Sequence, residues 1–300
     1  MLNLVIILLI ILCLLIYIYK HKYIKLQKYE NLQNNLQSIT NIMNFTKQIS
    51  IYRPVESSNL RKVKDIVINE MKKYIDVSEQ SFDRTIRNKT YKFSNLIGVN
   101  IKAKPPYILL GAHIDSPQIE NCESTIDACT SISIILELVK NLLKNNPNYP
   151  LMILFIDGEE ALGGSWSNDN TLSGSRYFVN NYDLNLIDKT YIFDLIGGDI
   201  NINKISCFRN NIESKNDFDK LYNINLKYNK QIFVNPNEFI SDIIITDDHT
   251  PFMEKNKYSV NLIPYKFPSS HHTLNDNYNN VNWEYVDIFY KVLYDFIYEY

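Results

Sequence analysis

Leu151-Met-Ile-Leu-Phe-Ile-Asp-Gly-Glu-Glu160 begins with an unbroken apolar run and ends in three acids around one glycine. The run has the length of a strand. Because it does not alternate with polar residues, it belongs to a strand covered on both faces. Acids at the end of such a strand are costly to bury unless they have partners or a task. The same pattern recurs on either side. Tyr107-Ile-Leu-Leu-Gly-Ala112 leads into His113-Ile-Asp115. Tyr191-Ile-Phe-Asp-Leu-Ile196 reads as a third strand that contains Asp194, and Val260-Asn-Leu-Ile263 as a fourth. Helical spacing of apolar residues marks 58–74, with Leu60, Val63, Ile66, Val67 and Met71, and also 132–143 and 286–298. Strands alternating with helices predict an α/β protein, a three-layer α/β/α sandwich around a central, mostly parallel mixed sheet.

In such sheets the functional groups gather beyond the carboxyl ends of the strands. His113 and Asp115 follow the first strand here, and Asp127 stands in the next loop just before a helix. Asp157, Glu159 and Glu160 follow the second, Asp247-Asp248-His249 precede a further helical stretch, and His271-His272 follow the fourth. Taken singly, each has an ordinary explanation. Asp127 could cap a helix, Glu159-Glu160 could be a solvated turn, and His271-His272 plain loop. Together they form a set of nitrogen and oxygen donors suited to a zinc ion with one open position. Adjacent carboxylates at Glu159 and Glu160 then have separate tasks, one binding metal and the other moving protons.

The rest of the chain narrows the setting. A formal net charge of -2 gives no reason to expect nucleic acid as a partner. Cys13, Cys122, Cys129 and Cys207 have neither the spacing of a zinc-thiolate site nor that of a disulfide framework. Residues 2–19 are almost wholly Leu, Ile, Val and Tyr. As a helix they would span roughly 27 Å, close to the ~30 Å of a hydrocarbon core. We therefore expect a single-pass membrane anchor at 1–19, a helical stalk at 20–37 and a catalytic domain at 38–300. The side of the membrane stays open. Lys20, Lys22, Lys25 and Lys28 favour a cytoplasmic body, whereas the sequons at Asn44 and Asn88 favour the secretory pathway.

From Asn41 onward the chain carries Phe155-Ile-Asp-Gly-Glu-Glu-Ala161, Trp166-Ser167, Gly174-Ser-Arg176, Phe193-Asp-Leu-Ile-Gly197 and Asp247-Asp-His-Thr-Pro-Phe252 in this order. In these strings it resembles the glutaminyl-peptide cyclotransferases, a branch of the zinc aminopeptidase superfamily. Phe93-Ser-Asn-Leu-Ile97, Leu262-Ile-Pro264, Phe267-Pro268, His272-Thr273 and Asp276-Asn277 also fit. The resemblance implies one zinc per chain held by Asp127, Glu160 and His272, with Glu159 as general acid/base. Asp194 and Asp247 would act as acids near the reacting amide. Trp166 and Phe267 would wall the substrate pocket beside His271, and His113 stands where related aminopeptidases hold a second metal. The implied substrate is a peptide or protein beginning with glutamine, or with glutamate, and the implied state is a monomer.

This chain departs from the family pattern at several points. His271 replaces a tryptophan, Asn261 replaces a histidine, the segment from Glu160 to Trp166 is one residue longer, and the cysteine pair of the animal enzymes is missing, with Ala112 and Ile132 in its place. The same donors would also serve a zinc aminopeptidase, or a non-catalytic membrane protein that keeps the fold.

Overall fold

The computed structural model describes residues 36–207, 212–237 and 245–298. The chain divides into Met1–Asn41 and Ile42–Tyr300, and the fold is that of the second unit. The expected anchor at 1–19 and residues 20–35 of the expected stalk lie outside the described residues. Among the described residues, no helix is long and apolar enough to cross a membrane.

Seven strands form one mixed sheet in the order β1-β2-β4-β3-β5-β7-β6. They are β1 (Asp76–Ile86), β2 (Lys89–Val99), β3 (Tyr107–His113), β4 (Leu151–Ile156), β5 (Ile187–Phe193), β6 (Ile205–Cys207) and β7 (Ser259–Pro264). The central strands β4, β3, β5 and β7 run parallel. The β1–β2 hairpin and β6 extend the sheet antiparallel at its two edges. Only the centre of the sheet is therefore parallel, and the hairpin and β6 were not among the strands expected.

The helices are α1 (residues 36–49), α2 (Ser58–Met71), α3 (Thr130–Asn145), α4 (Ser173–Asn181), α5 (Ile212–Asn225), α6 (Thr250–Glu254) and α7 (Trp283–Tyr298). The strand period of two sorts side chains between the two helical layers. Tyr191 and Phe193 of β5 meet Phe296 and Phe289 of α7. Between them Ile192 joins Met152, Leu154, Phe178 of α4 and Phe252 of α6 on the opposite face. Every residue of β4 is buried without exposed surface, which stabilises the fold by roughly 1.5–3 kcal/mol per large side chain. The strand expected over 191–196 covers 187–193 instead, so Asp194 lies just past its end and not within it. The stretch after His249 is helical for only five residues.

Local turns aim the strand ends at one point. Gly158 has φ +76, and a Cβ there would stand 2.4 Å from the Phe93 ring. Only glycine takes this left-handed turn beneath an aromatic ring, and the turn carries Glu159 and Glu160 back over the sheet.

Candidate active site

The parallel strands end at a cavity of about 120 Å³ lined by Asp127, Glu159, Glu160, Trp166, Asp194, Asp247, Ile263, Phe267, His271 and His272. Nine of the ten residues expected to serve the site thus line one cavity. The tenth, His113, is buried directly behind it, with Nε2 2.7 Å from Asp127 Oδ1 and 3.4 Å from Asp194 Oδ1. His272 Nε2 lies 3.3 Å from Glu160 Oε2 and 3.5 Å from Asp127 Oδ2.

Asp127 does not cap a helix. It sits in an irregular turn, Thr125–Cys129, ahead of α3, with φ -113 and ψ 77. Two groups hold that turn. Asp276 accepts hydrogen bonds from the Ile126 and Asp127 amides at 2.7 and 3.2 Å. Arg53, with no exposed surface, donates to the carbonyls of Ile114, Glu123, Ser124 and Asp127 at 2.7–3.2 Å. Its charge is therefore spent on orienting backbone. Asp276 belongs to one of the family strings, but its hold on this turn is not signalled by local sequence, and Arg53 is not signalled at all. Arg53 lies 74 residues before Asp127, and nothing in its own neighbourhood points there.

The acid pair is held from below. Asp115 accepts hydrogen bonds from the amides of Glu159 and Glu160 at 3.2 and 3.3 Å. Ser175 donates to Asp248 at 2.6 Å, and Arg176 pairs with Glu254 at 2.7 Å, so the Gly-Ser-Arg string ties α4 to the Asp247 turn and to α6. Asn261 donates from Nδ2 to Asp247 Oδ2 at 2.7 Å. The asparagine that replaces the family's histidine thus touches one of the expected acids directly.

Trp166 and Phe267 are 41% and 42% exposed, which leaves their faces free to receive a ligand at the rim. The loop bearing Trp166 is closed on itself by Asn170. This side chain accepts from Ser167 N and Oγ and donates to the carbonyls of Leu162 and Ser165. Arg84 of the β1–β2 hairpin latches the loop from outside. It donates to Thr171 O and Ser173 Oγ at 2.8 Å each, to Asp169 O at 2.9 Å and to Asn168 O at 3.2 Å. Leu162 packs beside Phe82, Ile86, Tyr91 and Phe93 of the same hairpin.

The electrostatics are those of an acid cluster that favours a cation. Burial pushes Glu159 well above its usual range, and Glu160 adds to the effect against the opposing charge of His113. Burial and the charge of Asp127 push Glu160 up to about 7 and also raise Asp194. Burial, then Asp194, raises Asp247. For Asp127, burial works the other way, but its contacts with His113 and His272 hold its carboxyl well below the ordinary value. Burial opposes protonation of His272, yet Asp127 and Glu160 bring it up to about 10. A divalent cation would relieve this crowding of carboxylates. Glu160 Oε1 is buried without a hydrogen-bond partner, and His113 Nε2 is buried off the hydrogen-bond direction despite its short contact with Asp127. Asp127-His271-His272, His113-Glu159-Glu160 and His113-Asp127-Asp194 each bring three donor atoms within 4.8 Å of one another. The residues therefore fit a metal ion.

Residues 95–297 match the model of peptidase family M28. The chain belongs to this family. Its curated relatives include the glutaminyl-peptide cyclotransferase of Dictyostelium discoideum, 26% identical over 83% of this chain and 83% of that protein. The glutaminyl-peptide cyclotransferase of Drosophila melanogaster is 25% identical over 87% of this chain and 79% of its own. The resemblance read from the sequence motifs is thus borne out over most of the chain. Among solved structures, the fold is shared with the glutaminyl cyclase of Macrostomum lignano, with a TM-score of 0.80, 24% identity and 89% of each chain covered. It is shared as well with a Zn-dependent exopeptidase from Parabacteroides distasonis, with a TM-score of 0.76, 17% identity and 87% and 98% covered.

Proposed function

We propose that this M28 protein is a zinc-dependent glutaminyl-peptide cyclotransferase, converting an N-terminal glutamine to pyroglutamate with release of ammonia. The observation that carries the proposal is the convergence of Glu159, Asp194 and Asp247 on the cavity that also holds the Asp127-Glu160-His272 donors and the aromatic rim. Asp127, Glu160 and His272 would hold the zinc ion, which would supply Lewis-acid polarisation of the substrate's side-chain amide carbonyl.

Protein groups do the rest. Trp166 and Phe267 hold the glutamine side chain at the rim, so that the α-amine and the δ-carbon of the same residue meet. The bond from the α-nitrogen to the δ-carbon forms, and the bond from the δ-carbon to the amide nitrogen breaks. Glu159 takes a proton from the amine and returns it to the departing nitrogen, which leaves as ammonia. Its raised affinity for protons suits it to accept one and then donate it. Asp194 and Asp247, raised by burial, hydrogen-bond the departing nitrogen and shield it from water.

Incubation with a Gln-initiated peptide tests this. Ammonia release without peptide shortening, abolished by Glu159→Gln, is the expected result. A second reading, a two-metal aminopeptidase, is favoured by the nearness of His113 to Asp127 and Asp194, and it predicts release of the first residue instead. The apolar run at 2–19 is further proposed to anchor the enzyme to a membrane. Detergent-phase partitioning of the full chain, lost on removal of that run, would support this.

A further inference from the structure

His271 is more than an aromatic wall. Its Nε2 lies 3.7 Å from Asp127 Oδ2, the oxygen that His272 Nε2 approaches at 3.5 Å. The two imidazoles are stacked, with centroids 3.8 Å apart and planes 25° apart. Side chains of neighbouring residues in extended backbone point to opposite sides. Here His272 has φ +54, a left-handed conformation uncommon outside glycine, which accompanies the turn of both rings toward the same carboxylate. Phe267 supports His271 edge-on at 5.0 Å. Among the described residues, no side chain forms a hydrogen bond to either ring nitrogen of His271, so Nε2 remains available as a donor.

Three donor separations approach those around a single ion, and Asp127, His271 and His272 bring their donor atoms within 4.8 Å of one another. Ligands bound to zinc at ~2.1 Å with tetrahedral angles stand roughly 3.4 Å apart. The contacts His272–Glu160, His272–Asp127 and His271–Asp127 measure 3.3, 3.5 and 3.7 Å. We propose that His271 is a fourth, displaceable zinc ligand in the resting enzyme, occupying the coordination position that substrate must take. Four protein ligands make a closed site, the kind that holds zinc tightly without reacting, and three leave the open position that catalysis requires. Binding of the substrate carbonyl therefore requires the His271 ring to move aside, toward the rim where it is already 27% exposed. The displacement step rests on the proposed cyclotransferase activity, whereas the ligand assignment does not.

The test compares the purified full chain with His271→Phe, which keeps an aromatic ring and removes the nitrogen donor. Zinc affinity is measured by chelator competition without substrate, and the visible spectrum of the cobalt(II)-loaded protein reports coordination. Loss of partners that merely orient metal ligands weakens binding about 10–100-fold, so loss of a ligand is expected to weaken zinc binding at least about tenfold and to shift the cobalt bands. An unchanged melting temperature of the metal-free protein shows that the variant is folded. His271→Gln, which keeps a polar donor but not imidazole, should fall between the two. Zinc affinity within twofold of the parent, with an unchanged cobalt spectrum, overturns the assignment. If substrate displaces His271, the Phe variant also has a lower KM for a Gln-initiated peptide under saturating zinc. An unaltered or higher KM overturns the displacement. Weakened zinc binding in a chain that cyclises no peptide would support the ligand and refute the enzyme reading instead.

Discussion

Replacing Arg84 with methionine should separate substrate binding from chemistry. The guanidinium makes two bonds of 2.8 Å to Thr171 O and Ser173 Oγ, and two longer ones to Asn168 O and Asp169 O. Hydrogen bonds from a charged donor contribute about 1.5–3 kcal/mol each when buried. The two bonds to Asn168 and Asp169 are at the exposed end, where solvent competes, so they count for little. The inner pair, about 3–6 kcal/mol if fully buried, is only part-buried and is discounted to about 2–3 kcal/mol, part of it retained by the loop's own Asn170 hub. A latch weakened by about 2 kcal/mol makes detachment of the Trp166 loop from the hairpin roughly 30-fold easier, since 1.4 kcal/mol is tenfold. Methionine keeps the apolar stem, so the hairpin core of Phe82, Tyr91 and Phe93 remains packed. KM for a Gln-initiated peptide should rise about tenfold or more, while kcat changes by less than about threefold, because Glu159, Asp194 and Asp247 sit on other elements. Trp166 is one of only two tryptophans. In a Trp283→Phe background its emission should therefore move to the red and become easier to quench. An unchanged KM beside a fallen kcat would refute the latch, as would a quenching profile identical to the parent.

Other expectations can be checked with the same protein. Asn261→Leu removes the 2.7 Å bond to Asp247 Oδ2; a buried bond to a charged group is worth about 1.5–3 kcal/mol, so kcat should drop about tenfold or more, and full retention of kcat would take Asp247 out of the chemistry. Burial and Asp127 hold Asp276 up to about 7 in the folded chain, against an unfolded value near 4. Its neutral form is therefore favoured by folding, and this stabilising contribution is complete below about pH 4 and lost as pH rises through 7. The melting temperature of metal-free Asp276→Asn should consequently fall less steeply with pH across that window than that of the parent, and parallel profiles would contradict the assignment. Chelation should lower the melting temperature and zinc should restore it, because a ligand bound only by the folded state stabilises that state.

What the sequence discloses follows from how local each constraint is. β4 was legible to both ends because all six residues are buried on two faces, so an unbroken apolar run was the only solution. The β1–β2 hairpin was not, because its outer strand alternates charged and half-buried positions from Asp76 to Ile86 and shows no apolar run. The acids and histidines that meet at the cavity were legible because they crowd at strand ends, where a burial pattern stops, whereas Trp166 and Phe267 were reached only through the family resemblance. Arg53, Asp276, Arg84 and Asn170 were opaque as supports, since each acts on backbone carbonyls or amides, which every residue possesses and none advertises. The hairpin shows what this costs a reading from sequence. Its residues carry no donor and line no part of the metal cluster, yet Arg84 reaches 89 residues forward to Ser173 and latches the loop that carries Trp166. Replacement of side chains at the cavity or directly behind it, as at His271 and Asn261, can retune such a site only within the geometry these distant supports allow. A change in specificity within this fold is therefore expected to arise as readily in the hairpin as in the pocket.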